Sequence, residues 1–99
     1  MTSLNLEKAL ELYSIIGKHL PENVDENLDV LDFIGTIVNN IKESGNHRDY
    51  VNAVSIMTDL SISELLEMGY EEILGLFIEG LIINQIISLK KFCESINYA

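Results

Sequence analysis

The sequence predicts an all-α fold: a compact bundle of about five helices with a long C-terminal helix. Three observations lead there. Apolar residues recur at three- and four-residue steps through most of the chain. No stretch shows the strict alternation that a half-buried strand needs. Helix start and stop residues stand at short intervals between the periodic runs. The 99 residues make one domain, 1–99. A chain of this size buries roughly 65% of its unfolded surface, enough for a core without staples. At 47% hydrophobic, it is too apolar for disorder.

The first helix is expected from about Ser3 to Leu20. Leu6, Ala9, Leu10, Tyr13, Ile16 and Leu20 fall at helical spacing, and Pro21 closes it. The stretch 21–27 is the one candidate hinge. The second helix is expected over 27–43, with a stripe of Leu28, Leu31, Ile34, Val38 and Ile41. Asp29 and Asp32 suit its positive end, and Gly45 suits its C-terminal cap. Asn46 is placed to cap a third helix, with Asp49 three residues on. Ser61-Ile62-Ser63-Glu64 spells a capping box that opens a short fourth helix, and Gly69 ends it.

The fifth helix is expected from about Tyr70 to Ser95, and its run 73–89 reads ILGLFIEGLIINQIISL. Wound as one helix, it carries two apolar stripes. Leu74, Ile78, Leu81, Leu89, Phe92 and Ile96 form one. Ile73, Leu76, Ile83 and Ile87 form the other, with Gly80 in the middle and Phe77 beside it. A surface helix has one apolar stripe and one polar face, so two stripes need two covers. Two readings stay open. Either this helix is the centre of its own domain, with the other four around it, or one stripe packs at home and the other docks an oligomer mate or a client helix. The second reading makes Ile73, Leu76, Phe77, Gly80, Ile83 and Ile87 the candidate partner-binding residues. Gly80 costs roughly 1 kcal/mol relative to Ala in a helix interior, which points to a close approach there. Phe77, Leu81 and Leu74 are core candidates in both readings.

Sixteen acids face six bases, a net charge of −10, and from Asp49 to Leu89 there is no Lys or Arg. Nucleic acid and anionic membrane surfaces are disfavoured as partners, because phosphates need cations. The acidity suits solubility, or steering toward a basic partner. Glu79, Asn84 and Gln85 interrupt the apolar run, which argues against a membrane span. The start, MTSLNLEKALEL, lacks a basic region followed by an apolar run, so no secretory leader is expected. Cys93 is alone, so a reducing compartment and an inert packed thiol are expected.

Chemistry-bearing patterns are scarce, and no cofactor or metal is expected. His19 and His47 have no second ligand at zinc spacing. His19, at the end of the first helix, is expected near free carbonyls, and His47 in solvent. A calcium loop counted from Asp25 fails at Val30, where Gly is needed, and at Thr36, where Glu is needed. Asp59-Leu60-Ser61 has the wrong order for the modified serine of small carrier proteins, and Ser61 has a capping role. Glu71 and Glu72 point about 100° apart on a helix, so they are no catalytic pair. Glu79 is expected on a polar face with Gly75 and Lys90. A pocket joining it to a histidine would revive an enzyme reading.

Ala53-Val54-Ser55-Ile56-Met57-Thr58 precedes the capped segment from Ser61 to Met68. Then follow Glu72, Ile73, Leu74, Leu76, Phe77, Glu79, Gly80, Leu81, Asn84 and Phe92. This layout resembles the tail assembly chaperones of long-tailed, siphovirus-like bacteriophages. The shared features are a Met-Thr turn, a short Glu-Leu-Leu helix, and a final helix with Leu-Phe, Gly-Leu and Asn before a closing aromatic. The likeness covers roughly the second half of the chain. It departs at Asp59, where a Gly is expected after Met-Thr. The resemblance implies a non-enzymatic, self-associating helical protein in the cytoplasm of an infected bacterial host. Such a protein coats the hydrophobic tape measure protein, recruits tail tube subunits and is absent from the mature virion. From charge alone, the alternative is an acidic helical adaptor that binds a basic partner.

Overall fold

The side chain of Asn5 accepts from the Lys8 amide at 2.9 Å and opens α1 (Leu6–Ile16). The computed structural model describes residues 3–22 and 29–97. Helix α1 buries Leu12 and Ile16. It stops short of the expected Leu20 and tightens into a 3₁₀ turn, Gly17–His19. Pro21 is the cause, since it holds Leu20 in extended backbone at φ −76° and ψ 141°. The candidate hinge at 21–27 lies largely in 23–28, outside the described residues.

Helix α2 (Val30–Ser44) begins later than the expected residue 27, with Asp29 outside it as the cap, and closes on the expected glycine. Asp29 accepts from the Leu31 amide at 2.8 Å, and Gly45 closes it at φ 79°. Its buried stripe is rotated from the expected one. Phe33, Ile34, Ile37 and Ile41 are buried, whereas Leu31 is exposed and Val38 half-buried. The ring of Phe33, with Ile37 and Ile41 at four-residue steps from it, sets the inward face.

Helix α3 (Arg48–Thr58) starts without a side-chain cap. Asn46 contributes its carbonyl instead, accepting from the Asp49 amide at 2.9 Å. The Asp49 carboxylate faces elsewhere: one oxygen lies 2.8 Å from His19 Nε2 and 3.4 Å from Lys18 Nζ. His19 thus has a carboxylate as its partner rather than the free carbonyls expected for it. Its ring is buried, and Asn40 Nδ2 donates to its backbone carbonyl at 2.8 Å. This joint ties the end of α1 to both α2 and α3.

Helix α3 ends at Asp59, which sits in the left-handed region at φ 65°. Glycine fits that conformation best, and Asp is among the few residues that tolerate it. Helix α4 (Ile62–Leu66) opens on the expected capping box, with both reciprocal bonds present.

The expected long C-terminal helix is two helices, α5 (Tyr70–Ile83) and α6 (Ile86–Ser95), bent by 59°. Asn84 and Gln85 make the break. Asn84 Nδ2 donates to the Gly80 carbonyl at 2.9 Å, and its Oδ1 accepts from the Leu4 amide at 2.8 Å. Gln85 then turns left-handed, at φ 49° and ψ 62°. Among the described residues no single helix is long and apolar enough to cross a membrane.

The central helix is α3, not the C-terminal one. It buries Val51, Ala53, Val54, Ile56 and Met57, which at about 100° per residue cover more than half of its circumference. Helices α1, α4 and α5 pack against it, and α6 packs on α1. Small side chains such as Ala53 and Val54 allow that close approach. Helix α5 lies on one flank, so only Phe77, Gly80 and Leu81 of it are buried.

Two outcomes follow in denaturant titrations. Asp59→Gly raises stability by about 0.5–1 kcal/mol, by relieving the left-handed turn. Asp49→Ala lowers it by about 1–3 kcal/mol, because the buried His19 ring loses its partner.

Candidate functional site

An apolar groove of about 570 Å³ lies where α2, α3 and the start of α5 meet. Helix α2 contributes Val38 and Lys42, the α3 side contributes His47, Tyr50 and Val51, and α5 contributes Tyr70, Ile73 and Leu74. The size is within the roughly 300–1,000 Å³ range of binding pockets. The aliphatic walls leave only the ends of Lys42, His47 and the two tyrosines as polar groups.

Tyr50 builds the floor. Its hydroxyl donates to the Val38 carbonyl, and its ring meets Phe77 edge-on, centroids 5.3 Å apart and planes at 90°. One side chain thus spaces α2 from α5 and props the groove open. Burial pushes the Tyr50 hydroxyl above its usual pKa of 10.0. At the rim, Tyr70 is 78% exposed, and its hydroxyl donates to Glu71 Oε1 at 3.3 Å.

The six residues expected to form one docking stripe do not form one open surface. Ile73 lines this groove, Leu76 is half-buried against the core, and Phe77 and Gly80 are buried within the subunit. The remaining two lie on either side of the bend and part company. Ile83 lines a depression with Leu4, Ala9 and Phe92, whereas Ile87 lines another with Val30 and Ile82. The 59° turn separates Ile87 from the rest, because the stripe was drawn on a straight helix, while Phe77 and Gly80 are taken up by packing within the subunit. The core candidates fare better, with Phe77 and Leu81 fully buried and Leu74 half-buried.

Other expectations resolve in the same geometry. Glu79 and Gly75 are exposed, but Lys90 does not share their polar face. It is buried, and its ammonium donates to Glu94 Oε1 at 2.7 Å and to the Glu22 carbonyl at 3.2 Å. Neither histidine lines a depression with Glu79. His47 stands at the apolar groove, and His19 lines a polar hollow with Lys18, Asn40 and Glu43. Among the described residues no three of His, Cys, Asp and Glu converge to hold a metal ion. Cys93 is buried, and burial pushes its thiol pKa up, away from the reactive thiolate.

Sequence reading missed the groove because its walls come from three helices with different stripes. Tyr70 was visible only as a helix start. Compared with family models, with curated proteins and with solved structures, the chain matches none.

The buried Tyr50 hydroxyl gives an alkaline signature. A pKa raised in the folded state adds stability that is complete below the unfolded value of 10.0 and is lost as pH rises through the folded value. Tyr50→Phe flattens that alkaline limb in urea titrations and lowers neutral stability by about 0.5–1.5 kcal/mol. Cys93 stays unlabelled by a thiol reagent in native buffer and reacts once urea unfolds the chain.

Proposed function

We propose that this protein is a non-enzymatic tail assembly chaperone of the long-tailed phage type, which holds an apolar helical segment of the tape measure protein in the α2–α3–α5 groove. The observation that carries the reading is the groove itself. It offers continuous aliphatic and aromatic walls at the surface of a strongly acidic chain. An apolar client helix buries its face against such walls, and the carrier's charge keeps the loaded complex dispersed. Val38, Val51, Ile73 and Leu74 supply the walls, and Tyr70 folds over the docked helix as a rim.

The Asp59 turn supports the likeness to these chaperones. The position where the family pattern calls for Gly is left-handed here. Self-association belongs to the same proposal. Leu31, Ile82, Phe92 and Ile96 are exposed outside the groove and are free to meet a second copy. Recruitment of tail tube subunits and action in the host cytoplasm follow from the family reading.

A second reading, an acidic adaptor for a basic partner, has one observation in its favour: Glu64, Glu67, Glu71, Glu72 and Glu79 are all exposed along α4 and α5. Salt separates the two. Charge-led binding collapses as ionic strength rises, whereas apolar docking persists.

The test is co-expression with a tape measure fragment. The protein keeps the fragment in the supernatant at 0.5 M salt, on the order of three times the physiological ionic strength. Ile73→Glu weakens capture about tenfold or more by placing a carboxylate in the groove. Leu6→Glu, exposed and outside the groove, leaves capture unchanged. Equal capture by both variants refutes the groove as the binding site.

A further inference from the structure

We infer that the groove reads charge as well as apolar surface: it takes an amphipathic helix with carboxylates along one edge and ammonium or guanidinium groups along the other. The inference rests on the groove being a helix-docking site, as proposed above, and adds the chemistry of the occupant.

The two rims have opposite sign. On the α2–α3 side Lys42 and His47 line the groove, and Arg48 follows, exposed. Lys42 and Arg48 have no carboxylate within ion-pair distance among the described residues, whereas Lys18 is held by Asp49 and Lys90 by Glu94. The acids that could neutralise this rim are committed elsewhere. Asp49 serves His19 and Lys18, and Glu43 accepts from Asn39 Nδ2 at 3.3 Å beside the separate polar hollow.

The α5 rim is acidic through Glu71. Tyr70 lines the groove and its hydroxyl donates to Glu71 Oε1, which holds that exposed carboxylate beside the rim, and no Lys or Arg occurs between Asp49 and Leu89 to offset it. A basic rim on a chain of net charge −10 runs against the overall field. Steering alone would favour a uniformly basic ligand. The local rims favour a ligand with a negative edge facing Lys42 and a positive edge facing Glu71.

Three synthetic helices with one shared Leu/Ile face test this by fluorescence anisotropy at physiological salt. One carries a Glu edge and a Lys edge, one has Gln on both edges, and one has Lys on both. Exposed contacts of this kind are individually weak, so the Glu/Lys helix binds about fivefold tighter than the Gln helix. The all-Lys helix gains nothing over Gln. Lys42→Gln reduces the Glu/Lys advantage over the Gln helix, and Lys42→Glu cancels it. Circular dichroism checks that both variants keep their helix content. Equal binding of the Glu/Lys and Gln helices overturns this inference and leaves apolar docking standing. So does tighter binding of the all-Lys helix, or an advantage that survives Lys42→Glu. If none of the three helices binds, the docking reading falls with it.

Discussion

Burial of α3 around most of its circumference is the constraint on which the other elements depend. A helix apolar over so wide an arc needs neighbours on several sides. Helices α1, α4 and α5 supply them. With α3 filling the middle, α5 is left on a flank, and α2 reaches it beside the groove. Tyr50 holds the two apart with its hydroxyl on Val38 and its ring on Phe77. The groove is the space that this arrangement cannot close. Its apolar walls are a by-product of core packing carried one layer too far outward.

Local signals in the sequence were read well where the physics is local. Asp29, Gly45 and the Ser61–Glu64 box each act within a few residues of their own position, and each stands where the spacing placed it. The all-α class follows from the same periodicity. Signals that depend on partners distant in sequence were misread. Asn46 looked like a side-chain cap, and Asp49 like its accessory, but the carboxylate has a buried histidine thirty residues away within reach. Lys90 looked like part of a polar face with Glu79, but it is buried and donates to the Glu22 carbonyl 68 residues away.

The C-terminal break shows a different limit. A left-handed Gln is uncommon, and nothing in ILGLFIEGLIINQIISL demands one by propensity. The break follows from Asn84, whose side chain competes with the helix ladder for the Gly80 carbonyl while accepting the Leu4 amide. That second bond is tertiary and has no trace in the local pattern. One turn of backbone therefore parts Ile87 from the proposed stripe, with Ile83 and Ile87 at separate depressions and Ile73 alone at the groove.

Asn84 also makes this junction vulnerable to chemical ageing. Its amide nitrogen faces one carbonyl, and its amide oxygen faces one backbone N–H. Hydrolysis of the amide to a carboxylate would keep the acceptor for Leu4 but set a negative oxygen against the Gly80 carbonyl, where a donor had been. Deamidation at this single position would thus work on the amino-terminal end and the α5–α6 corner together.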